Sequence, residues 1–128
     1  MVPNQRFGEE NRRTTRAFVV ICGNDLPLLK SRAEVLSRAA NFTVEVALGV
    51  SGLMAVSSMA DAKLVVLCHS LTKAQQEDSL GWVQSIAPDA RVIVMMKYSD
   101  LTIPSFGEPL PAQAGPRALI DLTMRLTA

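Results

Sequence analysis

The stretch KLVVLCHSLT, residues 63 to 72, runs an apolar strand-like segment into a helix start and delivers a thiol and an imidazole, Cys68 and His69, at the junction. A second thiol, Cys22, closes another apolar run, AFVVIC, and is followed by Gly23, Asn24 and Asp25. Such groups could bind a metal, switch by oxidation or attack a substrate. Zinc wants about four N or S ligands, and two Cys with a single His, without a C-x-x-C or H-x-x-x-H pair, fall short of that. As a general base His69 has only Ser70 beside it as a nucleophile, and no G-x-S-x-G elbow surrounds either residue, so His69 reads as a loop or capping residue. A redox switch using Cys22 and Cys68 needs exposure and a lowered thiol pKa. A nearby helix N-terminus favours that and an aliphatic surround opposes it. Two packed thiols are the simpler reading, with the redox pair as its alternative. GVSG at 49–52 lacks the spacing of a dinucleotide loop and reads as a turn, and Met95 and Met96 read as core filler.

The elements that must position these residues follow from periodicity. AFVVIC (17–22), LVVLC (64–68) and VIVMM (92–96) contain no polar residue and are rich in β-branched types, as strands buried on both faces are. FTVEVAL (42–48) alternates, with Phe42, Val44, Val46 and Leu48 on one side and Thr43, Glu45 and Ala47 on the other, the pattern of an edge strand. Between the runs, Leu29, Ala33, Leu36 and Ala40 fall on one helical stripe with Leu28, Val35 and Ala39 beside it, and Asn24 or Asp25 can cap that helix. Residues 50–60 suggest a shorter helix. Thr72 and Gln75 have capping-box spacing for a helix toward Ile86, and Gly115-Pro116 opens a last helix with Leu119, Leu122 and Leu126 as its packing stripe. Alternating strands and helices with right-handed crossovers predict an α/β fold: a doubly wound, three-layer parallel sheet. Ligands and chemistry then gather at the C-terminal strand ends, where Cys22, Gly23, Asn24, Cys68, His69, Met96 and Lys97 fall.

Composition narrows the function classes. The chain has 128 residues, enough for one core, and 48% hydrophobic residues with 5% aromatics make that core aliphatic. Thirteen basic against twelve acidic side chains leave a formal charge of +1, which calls for neither a nucleic-acid nor a membrane partner. No window resembles a membrane span or a signal peptide, and two cysteines are too few for a disulfide scaffold, so a cytoplasmic location is expected. Residues 1–16 are polar and aperiodic, with Arg12, Arg13 and Arg16 among four Arg, and read as a flexible tail before a domain at 17–128.

AFVVICGNDLPLLKSRAEVLSRAANFTVEVALGVSGLMAV, followed by KLVVLCHSLT and RVIVMMKY, resembles the receiver domain of two-component response regulators over residues 17 to about 98. The resemblance implies a flavodoxin-like sheet of order 2-1-3-4-5, a signalling or regulatory role, no enzymatic activity and a protein partner, with dimerisation as a further implication. In that family two acidic residues after the first strand bind Mg²⁺, and an Asp closing the third strand accepts phosphate. A Ser or Thr after the fourth strand and a Lys before a Pro after the fifth contact the phosphoryl group. Aligned on the strands, these positions fall on Gly23 and Asn24 (with Asp25 one place late), on Cys68, on Met96 (with Lys97 beside it), and on Glu108 if EPL is the matching turn, or near Pro111 if the match lies further on. All of them depart from the pattern. The resemblance therefore implies a degenerate receiver that needs no cofactor and acts through protein contact, with a small-ligand-binding α/β domain as a further alternative. KYSDLTIPSFGEPLPAQAGP is Pro-rich where the family fits its fourth helix, so that helix is expected to be reduced or absent. An Asp introduced at Cys68 is expected to bury a carboxylate without a cation.

Overall fold

Three uninterrupted apolar runs can be satisfied only where both faces of a sheet are covered, and the computed structural model, which describes residues 17–97 and 107–128, places them there. In chain order the elements are β1 (Ala17–Gly23), α1 (Leu26–Ala39), β2 (Phe42–Leu48), α2 (Gly49–Met54), a 3₁₀ turn (Met59–Asp61), β3 (Leu64–Leu67), α3 (Lys73–Ile86), β4 (Arg91–Met96), β5 (Glu108–Pro111), a second 3₁₀ turn (Ala112–Ala114) and α4 (Pro116–Thr127). The five strands are all parallel in the order β2-β1-β3-β4-β5. This is the doubly wound α/β sheet predicted from the alternation. The expected reduction of a helix after Tyr98 concerns residues 98–106, which, like the tail at 1–16, lie outside the described residues. Among the described residues no helix is long and apolar enough to cross a membrane.

Strand alternation divides the interior in two. Val19, Ile21, Leu64, Val66, Cys68, Ile93, Met95 and Leu110 face the layer formed by α1 and α4, meeting Leu29, Leu36, Leu119, Leu122 and Leu126. Val20, Cys22, Ala47, Val65, Leu67, Val92 and Val94 face the other layer, meeting Leu53 of α2, Met59 and Val83 of α3. Each fully buried Leu, Ile or Val contributes about 1.5–3 kcal/mol, so this aliphatic sandwich is the main support of the fold.

The helix ends follow local chemistry. Asp25, not Asn24, caps α1, its Oδ1 accepting from the Leu28 N–H at 3.2 Å. Thr72 and Gln75 form the full reciprocal capping box of α3. The segment expected as one helix over 50–60 is instead α2 and a separate 3₁₀ turn. Leu48, expected on the core side of β2, is half exposed while Ala47 is buried. Leu48 is the last residue of the strand and precedes α2 directly, so at that rim α1 no longer covers its side. The fifth strand is EPLP, a sequence that hides its own strand character because it contains two prolines. Pro109 and Pro111 alternate, so both missing N–H groups fall on one side of the strand. At a sheet edge that side needs no partner. Leu110 between them supplies the buried contact.

Candidate functional site at the strand ends

The C-terminal ends of β1, β3 and β4 meet the loops that open α1 and α3, and polar side chains close the space between them. Asn24 is the centre. Its backbone N–H donates to Ser70 Oγ at 2.8 Å, and its Nδ2 donates both to the Ser70 carbonyl at 3.0 Å and to Gln75 Oε1 at 2.8 Å. Gln75 Oε1 also accepts from the Thr72 N–H at 2.9 Å, so the α3 capping box and the β1–α1 loop share one acceptor. The bond to a backbone carbonyl fixes the amide orientation: Asn24 presents its NH₂, not its oxygen, to this space. On the other side of the rim, Gln76 Nε2 donates to the carbonyls of Cys68 at 3.2 Å and Met95 at 3.0 Å, tying α3 to the ends of β3 and β4.

Gly23 is buried, and the reason is contact. A Cβ there would stand 2.7 Å from Ser70 Oγ, 3.1 Å from Cys68 Cβ and 3.1 Å from Leu29 Cδ2. Because Ser70 Oγ is held by the Asn24 N–H, it cannot yield without breaking that bond. Any side chain at this position therefore displaces Ser70 and crowds Cys68 and Leu29.

Both thiols are fully buried, but on opposite faces of the sheet. Cys22 pairs with Leu67, and the Cys68 N–H donates to the Cys22 carbonyl at 2.8 Å, so Cys68 is the next residue along and points the other way. The Cys22 Sγ donates to the Gly49 carbonyl at 3.3 Å. Burial, with Cys68 adding to it and the neighbouring Ser79 hydroxyl opposing, pushes the Cys22 thiol up to about 12. Burial likewise pushes Cys68 up, opposed by the Arg32 guanidinium that reaches it from α1. Thiols held neutral are poor nucleophiles, and a disulfide needs both Cβ atoms within about 3.5–4.5 Å and directed at each other. The sheet separates them.

His69 lies half-buried at the same rim, its Nδ1 sealed from solvent without a partner among the described residues. Burial, then the positive charges of Arg32 and Lys97, lower its pKa below 6.5, and Asp25 acts in the opposite direction. His69 and Lys97 line a cavity of ≈ 170 Å³ with Thr72, Lys73, Gln76, Met95 and Met96. An unfolded His titrates near 6.5, so below that pH the unfolded chain takes up a proton that the folded chain resists. The resulting stability is present above pH 6.5 and is lost as pH falls through the folded value. Urea midpoints at pH 7.5 and 5.5 are expected to show this loss in the wild type and a smaller one in His69→Gln. Equal losses in both proteins would remove His69 as the cause.

The register corrects one assignment. Glu108 pairs with Ile93, near the start of β4, whereas Pro111 pairs with Met96 at the rim. Of the two readings for the Lys of the fifth strand, Pro111 stands at the strand ends and Glu108 lies away from them. The remaining residues singled out in the sequence, Gly23, Asn24, Asp25, Cys68, Met96 and Lys97, do converge on the rim. Sequence reasoning missed Arg32, Ser70, Gln75 and Gln76 as members of the site. Gln75 was signalled by its capping-box spacing and Ser70 only as a neighbour of His69.

The set does not suit Mg²⁺, a hard cation that binds through oxygen, usually one or two carboxylates with water and phosphate. Gly23 supplies no side-chain ligand, Asn24 offers a donor, and Cys68 offers a neutral thiol. Among the described residues no three of His, Cys, Asp and Glu gather as a metal-holding group.

No protein-family model and no curated protein sequence matches the chain. Solved structures do. A two-component transcriptional regulator AraC from Clostridium phytofermentans superposes with a TM-score of 0.74 at 12% identity, over 87% of this chain and 91% of that one. A response regulator receiver domain protein from Clostridium thermocellum gives 0.73 at 15% identity, over 87% and 94%. A pilus assembly-related protein from Burkholderia pseudomallei gives 0.68 at 14% identity, over 87% and 89%. At such identities the likeness is one of architecture, and on that basis the chain has the fold of a response-regulator receiver domain, with an amide clasp and a buried thiol at its strand ends.

Proposed function

We propose that this chain is a degenerate receiver-like module that serves signalling or regulation through contact with a protein partner, without phosphotransfer. The observation that carries this reading is the clasp of Asn24, Ser70 and Gln75, which joins the β1–α1 and β3–α3 loops directly. In a phosphorylatable site those loops must leave room for a metal and a phosphoryl group. Here three side-chain hydrogen bonds and a glycine with no spare volume fill the gap. Leu26 and Leu48, both exposed at this rim, offer apolar surface for a partner. A thiol switch joining Cys22 and Cys68 is the weaker reading, because the two side chains lie on opposite faces and both are held protonated.

The test is intact-mass measurement after incubation with acetyl phosphate and Mg²⁺. No stable adduct is expected in the wild type or in Cys68→Asp, since Gly23, Asn24 and Met96 are unchanged there. A Mg²⁺-dependent gain of one phosphate in the wild type would overturn the proposal.

A further inference from the structure

Arg32 projects from α1 toward Cys68, and its Nη1 is sealed from solvent with no hydrogen-bond partner among the described residues. The ion pair found among the described residues lies elsewhere, between Arg38 and Glu34. Beside Arg32 stand a thiol held neutral and the imidazole of His69, on which the ammonium of Lys97 and the carboxylate of Asp25 also act. The acidic side chain at this rim, Asp25, is engaged in capping α1. Among the described residues this half-buried guanidinium forms no ion pair, and burial favours pairing a charge. Arg32 also forms part of the wall of a cleft of ≈ 280 Å³ between α1 and the start of α4, whose remaining walls are mostly apolar: Leu28, Val35, Met95, Pro116 and Leu119. A dry apolar cavity of about 150 Å³ is enough for benzene, so this cleft has room for a ring and an attached carboxylate.

We infer that the cleft between α1 and α4 binds a small apolar carboxylate, with its two oxygens on the Arg32 guanidinium and its hydrocarbon part against Leu28, Val35, Met95 and Leu119. The planar fork of Arg matches a carboxylate through two parallel hydrogen bonds. One cation set among apolar walls suits a monoanion with a hydrocarbon body. Inorganic phosphate, without such a body, fits better the adjoining polar cavity of Lys73, Lys97 and His69, which shares Met95 with this cleft. The inference is independent of the phosphotransfer-free reading, because benzoate occupancy and acetyl-phosphate labelling are measured separately.

The chain contains one His, so the His69 ring gives a single, unambiguous carbon-bound proton resonance. In an NMR titration of the full chain, benzoate is expected to bind saturably, at least tenfold more tightly than acetate, benzyl alcohol or inorganic phosphate. It should raise the His69 pKa on saturation, because it brings a negative charge beside Arg32. Arg32→Gln should weaken benzoate at least tenfold and leave benzyl alcohol unchanged. Val35→Phe, which fills the cleft, should weaken benzoate while the free protein's His69 titration stays as in the wild type. Arg32→Lys, which keeps the charge without the fork, should fall between wild type and Arg32→Gln. The inference is overturned if acetate or phosphate binds as tightly as benzoate, if benzoate is indifferent to both Arg32→Gln and Val35→Phe, or if no saturable shift occurs.

Discussion

Gly23→Asp is expected to lower the unfolding free energy by about 2–4 kcal/mol, combining overpacking with the burial of a carboxylate. The steric part is fixed by the distances: even a Cβ would meet Ser70 Oγ at 2.7 Å and sit 3.1 Å from both Cys68 and Leu29. Moving Ser70 aside breaks its bond to the Asn24 N–H, and with it one strut of the clasp. Gly23→Ala should cost less, since it adds the same first carbon without the charge. Mg²⁺ should not rescue the Asp variant, because Asn24 turns its NH₂ inward and would need to release both Ser70 and Gln75 before offering an oxygen. Urea melts of the variants in Mg²⁺ and in chelator are the measurement. An Asp variant as stable as wild type, or one stabilised by Mg²⁺, would show that the pocket is open and that the clasp gives way to a metal.

Cys68→Asp is expected to cost only about 1–2 kcal/mol while Arg32 is present, and about 3–5 kcal/mol when Arg32→Gln removes the guanidinium, the range seen when one partner of a buried pair is lost. The sequence expectation concerned a carboxylate without its metal cation, and the structure adds the Arg32 guanidinium beside Cys68. A double-mutant cycle should therefore return a coupling of about 1–3 kcal/mol between the two positions. The pH dependence supplies a second readout. Paired with Arg32, the new carboxyl keeps a folded pKa at or below its unfolded value of about 3.9. Its contribution is then present above that pH and is lost as pH falls through the folded value. In the Arg32→Gln background the folded pKa is raised, so stability is greatest below about pH 4 and declines as pH rises through the raised value. A coupling near zero, or the same pH profile in both backgrounds, would mean that Arg32 does not face Cys68 as the fold places it.

What the sequence determined by itself is what local pattern encodes. The runs at 17–22, 64–68 and 92–96 needed two covered faces, the alternation at 42–48 needed one wetter face, and Thr72 with Gln75 and Gly115 with Pro116 set helix starts; together they specified a parallel α/β sheet, because each signal depends on residues only a few places apart. The fifth strand escaped this reading because Pro109 and Pro111 erase its propensity, and only the edge position makes them tolerable. The residue types at Gly23, Asn24, Cys68 and Met96 were legible. Their meaning was not. Which face each cysteine takes depends on the register between β1 and β3, and which residue of EPLP reaches the rim depends on the register between β4 and β5. Gly23 is needed because Ser70, far along the chain, occupies the space beside it, and Asn24 finds Gln75 only when two loops converge. Arg32 meets Cys68 only because α1 packs on the sheet face to which Cys68 points. Contacts of this kind join residues distant in sequence, so no periodicity records them, and they alone decided that amides join the two loops and that a guanidinium without an ion pair among the described residues flanks them.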